Sequence, residues 1–239
     1  MKQQGKFFGI GVGPGPAGYI PVAAVEALQK ADVIFAPKAK NNQQSVALQC
    51  LTGIAFDQSK VREIEFNMDP DKTILNEHYD RLAELIAAEI SKVRNVAYLT
   101  IGDTLTYSTY NYVIAALRKR LPDLQHQTFP GVTSYAAAAA ALDWPLGIAK
   151  ERTLILPCPE DAISLRHEIE SHDVIVLMKI GSRLPWVITL LNEIGIAQHC
   201  AFARKVGLAE EIVCNDLNAL EVSDKTGNLA VMLIRKKAL

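Results

Sequence analysis

Three stretches of this 239-residue chain carry residue types suited to holding a ligand. The first, "GIGVGPGPAG" at 9–18, sets five glycines and two prolines directly after the apolar Phe7 and Phe8. A bend so poor in side chains lets the backbone come close to a ligand with little distortion. Gly13, Gly15 and Gly18 match the G-x-G-x-x-G spacing of dinucleotide loops, but Pro14 and Pro16 remove two of the N–H donors that would cradle a pyrophosphate. The acidic residue expected at the end of the second strand is missing too, since Asp32 opens that strand and Pro37-Lys38 close it. A Rossmann-type NADP oxidoreductase therefore stands as a rival resting on the glycine match and Lys38, and a merely tight turn is the plainest alternative.

The second stretch is "YLTIGDTLTYSTYNY" at 98–112, where Gly102-Asp103 leave the carboxyl end of an apolar strand. Open α/β sheets bind ligands in the crevice beyond those strand ends. Asp103 is placed to accept hydrogen bonds from a ligand, or else to cap the helix that follows. The third stretch, "FPGVTSYAA", repeats the arrangement: a strand end, a Pro-Gly turn, then a helix start whose hydroxyls, Thr133 and Ser134, sit among free N–H groups.

Around these stretches the charges are balanced. With 25 basic and 26 acidic residues the formal net charge is −1, which supplies no field to draw nucleic acid or an anionic membrane. An anionic ligand has to meet local cations, and Lys38, Lys40, Lys179, Arg183, Arg204 and Lys205 all follow expected strand ends, with Arg the better bidentate partner. The histidines show no metal spacing: in "HEIESH" they stand five apart, about 140° round a helix, so no metal site is expected in the protein itself. Cys50, Cys158, Cys200 and Cys214 are far apart and read as buried thiols of a reducing compartment, hence a cytoplasmic home. The run "SYAAAAAALDW" is too short to span a bilayer, and no membrane association is expected.

The elements that must carry these loops follow from periodicity. Short apolar runs at "KFFGIGV", "DVIFAP" and "NVAYLTI" alternate with helical patterns near 20–30, 74–92 and 108–121, a βαβ rhythm that predicts parallel strands covered by helices. "WPLGIAKE" at 144–151 interrupts it. Strands are expected again at 153–157, 173–178, 199–203 and 229–235, with helices at 161–170 and 184–194, and "GNLAVMLIRKK" reads as a hairpin strand with a solvated basic tail. The fold class is α/β: two α/β domains, 1–146 and 147–239, the first sheet mainly parallel and the second mixed.

Taken together, the three stretches resemble the tetrapyrrole methylase family, whose pattern is a G-x-G-x-G-P-G loop, a G-D-P-x-x-Y segment and a P-G-x-[ST]-[SA] turn. They match as Gly9 to Gly15, Gly102 to Tyr107 and Pro130 to Ser134. The likeness extends through "VIVLMKIGS" and "GLAEEIV" over nearly the whole chain, and "VIFAPKA", "FNMDPDKTIL" and "YSTYNYVIAAL" are similar to the branch that methylates C20 of precorrin-2 or cobalt-factor II. Two positions depart from the pattern: Pro16 stands where many members have an acidic residue, and Thr104 replaces the proline of G-D-P, a change expected to loosen the backbone beside Asp103.

The resemblance implies S-adenosylmethionine as methyl donor, leaving as S-adenosylhomocysteine, in a trough between the two domains of a homodimer. It implies donor contacts from Pro14, Ile101, Gly102, Asp103, Thr106, Thr133, Ser134, Met178, Leu208 and Ala209. It implies an anionic tetrapyrrole substrate whose carboxylates would fall to Lys38, Arg204 and His126. Asp103 and Tyr107 are the candidates for a direct part in catalysis, with packing an equal claim on Tyr107. Methylation at another carbon of a related ring, and a tetrapyrrole carrier without catalysis, are the remaining alternatives.

Overall fold

The computed structural model describes residues 4–40, 42–223 and 225–238. The chain divides into two compact units, Met1–Thr133 and Ser134–Leu239. This division and one at 146/147 differ in the side to which the alanine-rich helix and its following loop are assigned.

In the first unit, β1 (Phe7–Gly11), α1 (Val22–Lys30), β2 (Val33–Lys38), α2 (Val46–Gln49), β3 (Val61–Glu65), α3 (Lys72–Ser91), β4 (Val96–Thr100), α4 (Tyr110–Arg120) and β5 (His126–Phe129) follow one another. The strands form one sheet in the order β3-β2-β4-β1-β5, and every ladder is parallel. β1 and β4 are buried at every position, which explains why they are continuous apolar runs rather than alternating ones. The order places β4, β1 and β5 side by side, so the loops leaving them emerge at one edge of the sheet.

Side chains alternate across β1. Phe7 joins the core under α3 and α4, stacked on Tyr110 with ring centroids 6.1 Å apart, while Phe8 meets Phe129 edge-on. Gly9 shares the face of Phe7, and its missing side chain is what admits Tyr110: a Cβ there would lie 2.2 Å from the ring. The Tyr110 hydroxyl reaches Thr128 Oγ1 at 2.6 Å, and that of Tyr98 reaches Thr109 Oγ1 at 2.9 Å, so α4 is fastened by polar tips on apolar bodies. α3 begins where Asp71 accepts a hydrogen bond from the Thr73 amide at 2.7 Å.

The second unit runs α5 (Ser134–Ala141), β6 (Thr153–Pro157), α6 (Ala162–Ser171), β7 (Val174–Met178), α7 (Leu184–Glu193), β8 (Cys200–Arg204), β9 (Ile212–Cys214) and β10 (Ala230–Arg235). Its sheet has the order β6-β7-β10-β8-β9 and is mixed: β6 and β7 are parallel, the other ladders antiparallel. α5 packs against β10.

The two-domain α/β fold with a parallel and a mixed sheet is as the sequence predicts, and the differences lie in local elements. β3 and β9 add to the expected strands; both are short edge strands with little burial, which leaves a weak apolar pattern in the sequence. The final strand is no hairpin partner of its predecessor. β10 lies in the middle of its sheet, between β7 and β8, which is why "LAVMLI" is apolar on both faces. Nor is the whole basic end solvated. Arg235 is only 3% exposed, paired with Glu151, hydrogen-bonded to the Pro145 carbonyl at 2.6 Å and lying 4.9 Å from the Trp144 ring centroid, while Lys236 and Lys237 are exposed. Cys50, Cys158 and Cys200 are buried free thiols, and burial pushes them up to about 12, 11 and 12; Cys214, on the edge strand β9, is only half-buried.

Candidate functional site

The three motif loops meet at the carboxyl edge of the first sheet, and they are joined there by backbone. Gly13 and Gly102 exchange two hydrogen bonds, Gly13 N to Gly102 O at 3.1 Å and Gly102 N to Gly13 O at 2.8 Å, so the loop after β1 and the loop after β4 form a small antiparallel bridge. Gly131, in the turn after β5, lies against both: a Cβ on it would stand 2.0 Å from the Gly102 oxygen, and a Cβ on Gly11 would stand 2.5 Å from the Gly131 nitrogen. Gly13 and Gly102 have φ of +75° and +68°, the left-handed region. Gly9, Gly11 and Gly13 of the first motif are therefore consumed by close approach of protein to protein. Gly18, by contrast, has open space where a Cβ would stand.

Asp103 ties the same loops with its side chain. Oδ2 accepts from the amides of Leu105 and Thr106 at 2.8 and 3.0 Å and from the Thr106 hydroxyl at 3.0 Å, while Oδ1 accepts from the Gly131 amide at 3.1 Å. The helix-cap alternative does not describe it, because α4 begins at Tyr110 behind Thr109. Thr104, 1% exposed, donates its hydroxyl to the Phe129 carbonyl at 3.1 Å, and its own carbonyl accepts the Ser108 hydroxyl. The expectation that threonine loosens this segment is corrected: a buried hydrogen bond fastens it to β5. Tyr107, in the left-handed region at φ +51°, is 43% exposed.

Pro14, Ile101, Gly102, Asp103, Thr106, Tyr107 and Thr133 thus belong to this first-unit edge, with Pro14 and Gly102 buried, and Ile101, Asp103, Thr106 and Thr133 half-buried. Ser134 is the first residue of α5. In the second unit Met178 ends β7, and Leu208 and Ala209 stand in the loop that leaves β8. Met178 and Ala203 both face Val231 of β10 in register, so this strand end and this loop share an edge of the second sheet.

Four of the candidate cations, Lys38, Arg183, Arg204 and Lys205, are met by acids. Lys38 lies 4.0 Å from Glu63, whose carboxylate is fixed by the Ser45 amide at 2.6 Å. Arg204 reaches Glu210 at 3.4 Å, and Lys205 reaches the same carboxylate at 2.6 Å. His126 opens β5, at the edge of the sheet opposite the three loops, where its ring faces Arg118 at 3.0 Å. The structure does not bring His126 to the motif loops.

Sequence reasoning missed two hydroxyls. Thr104 carries a signal, a β-branched donor beside Gly-Asp, although in the sequence it stands out only as a departure from pattern. Thr100, the last residue of β4 beside Gly11 in register, is buried, and its hydroxyl has no hydrogen-bond partner among the described residues. A threonine closing an apolar run is its whole signal. Among the described residues no group of three or more His, Cys, Asp or Glu side chains is arranged to hold a metal ion, and no helix is long and apolar enough to cross a membrane.

What this edge can do chemically is bind and orient. It offers strand-end backbone, a hydroxyl-rich rim and an orphan buried hydroxyl, without a nucleophile-base pair, which suits alignment more than proton transfer. Comparison with known proteins bears on the chain as a whole. The sequence pattern of the tetrapyrrole (corrin/porphyrin) methylases matches residues 6–220. The chain is 29% identical to the cobalt-precorrin-2 C(20)-methyltransferase of Salmonella typhimurium over 82% of this chain and 81% of that one. It is 29% identical to a probable enzyme of the same name from Methanocaldococcus jannaschii over 97% and 96%. Among solved structures, a cobalt precorrin-4 methyltransferase superposes with a TM-score of 0.72 at 18% identity, covering 96% of this chain and 94% of that one. The uroporphyrin-III C-methyltransferase of Thermus thermophilus, complexed with S-adenosyl homocysteine, superposes with a TM-score of 0.61 at 16% identity and 97% coverage of both.

Proposed function

The chain belongs to the tetrapyrrole (corrin/porphyrin) methylase family, and from that premise we propose that it methylates C20 of a precorrin-2-type macrocycle, metal-free or cobalt-loaded, in cobalamin biosynthesis. The observation that carries this is the near full-length likeness to proteins named for that reaction. S-adenosylmethionine is the donor in this reading, and when bound it supplies an electrophilic methyl group on a sulfonium, with S-adenosylhomocysteine as product.

The residues fit such a donor. Transfer to an electron-rich ring carbon disperses an existing charge, so geometry is what the protein has to provide. The Gly13–Gly102 bridge and the Asp103 carboxylate hold Ile101, Gly102 and Thr106 in place, and the turn of Pro130 to Thr133 is held against them. The Thr100 hydroxyl, at the end of β4, is buried and has no hydrogen-bond partner among the described residues. Pro14, Thr133, Ser134, Met178, Leu208 and Ala209 complete the proposed donor contacts. Lys38 and Arg204 meet substrate carboxylates by exchanging their long contacts with Glu63 and Glu210, 4.0 and 3.4 Å, for shorter ones. Tyr107 serves the exposed rim. A cytoplasmic homodimer is part of the proposal, supported by the free, buried thiols and the alanine-rich surface of α5.

Incubation with methyl-labelled donor and precorrin-2, alongside its cobalt form, tests the reading. Label at C20 of either ring is the expected result. Label at another carbon overturns the regiochemistry, and binding of the ring without label reduces the protein to a carrier.

A further inference from the structure

The hydroxyl of Thr104 has a role that neither the pattern of the family nor the proposed reaction assigns to it. We infer that Thr104 is a positioning residue for the donor site: its buried hydroxyl, acting beside the Asp103 carboxylate, clasps the Pro130–Gly131 turn to the loop that follows β4. The inference rests on the donor reading above.

The geometry is a two-point clasp. Thr104 Oγ1 donates to Phe129 O at 3.1 Å and Asp103 Oδ1 accepts from Gly131 N at 3.1 Å, so consecutive residues of one loop hold the two residues that flank Pro130 on another. Pro130 has no N–H of its own with which to fix the turn. The ladder between β1 and β5 ends at Ile10 and Phe129, so the clasp begins where the sheet's own bonds stop. The Ser108 hydroxyl bonded to the Thr104 carbonyl carries the restraint on to the start of α4. Because Thr104 is 1% exposed, water cannot stand in for a lost bond, and the Phe129 carbonyl would be left buried without its side-chain partner. The placement of the Gly102–Thr106 segment against Thr133 then depends in part on a hydroxyl. Both segments belong to the proposed donor contacts, and a small misplacement there is costly to transfer.

The test compares Thr104→Val, which keeps the shape and loses the donor, with Thr104→Ser, which keeps the donor and loses a methyl group. Two quantities are read on the full chain: amide exchange of the peptide 129–134 without ligand, and the Kd for S-adenosylhomocysteine by calorimetry. Thr104→Val should speed exchange of that peptide and weaken S-adenosylhomocysteine binding by about ten-fold, with Thr104→Ser within about two-fold of wild type on both. Faster exchange with unchanged Kd overturns the positioning role, and unchanged exchange overturns the clasp itself. Should Thr104→Val fail to fold, Thr104→Ser still decides, because a ten-fold loss there would show that the methyl packing and not the hydroxyl matters. A wild-type protein that binds no S-adenosylhomocysteine overturns the donor reading, and the exchange of the peptide then judges the clasp alone.

Discussion

The Asp103 carboxylate accepts the backbone amide of Gly131 at 3.1 Å, a bond between two loops 28 residues apart in the chain. With the Gly13–Gly102 bridge it makes the edge of the first sheet one unit of structure. Asp103 reads in the sequence as a group waiting for a ligand. In the structure both of its oxygens already serve the protein.

Replacing Asp103 by Ala should accordingly weaken two properties together. S-adenosylhomocysteine affinity should fall about ten-fold or more, and the thermal midpoint should fall as well, because three amides and a hydroxyl lose their acceptor. Calorimetry and thermal melts check this side by side. Lost affinity at an unchanged melting temperature would mean that the carboxylate faces the ligand instead of the loops.

Glycine positions offer a matched contrast. In Gly131→Ala the new Cβ would stand 2.0 Å from the Gly102 oxygen, which is backbone and cannot swing aside, so we expect a loss of about 3 kcal/mol and a melting temperature lower by roughly 6–12 °C. Gly18→Ala meets nothing within 4 Å and should stay within about 0.5 kcal/mol of wild type. Equal melting temperatures for the two variants would contradict the packing described for the three loops.

How far the sequence reached depends on what each signal encodes. Glycine and proline mark bends strongly, so the three loops and the parallel sheet that gathers them were legible. What the glycines approach was not, because a missing side chain looks the same whether backbone or ligand fills the space; only the positions of Gly11, Gly102 and Gly131 settle that. Arg235 read as part of a solvated tail because its partners, Glu151 and Pro145, lie 84 and 90 residues away. His126 read as near the site because it shortly precedes Pro130, whereas a strand carries its first residue to the other edge of the sheet.

That placement makes its own prediction. His126→Ala should leave kcat and KM for methyl transfer within about two-fold of wild type, the change being confined to the contact with Arg118 at the far edge. Steady-state kinetics with a tetrapyrrole acceptor checks it. A large rise in KM for the ring alone would place the histidine at the substrate after all.

Acid sensitivity should be traceable to Glu89. Glu89 is 6% exposed, and its carboxylate is met by Arg62 at 3.1 Å, Lys92 at 3.1 Å and Arg94 at 2.8 Å. The hydrogen bond from Lys92, joined by Arg62, holds its pKa down at about 2 against burial, which acts to raise it. A carboxyl depressed in the folded state binds its proton more readily when unfolded, so its contribution to stability is present above the ordinary value near 4.5 and drains away as pH falls toward 2. Melting temperature followed from pH 6 to about 2 should therefore decline across that window in wild type. In Glu89→Gln, which has no charge to lose, the protein should start less stable at neutral pH and decline less steeply. Parallel declines in the two proteins would show that other carboxylates govern acid unfolding and that the three cations around Glu89 contribute little.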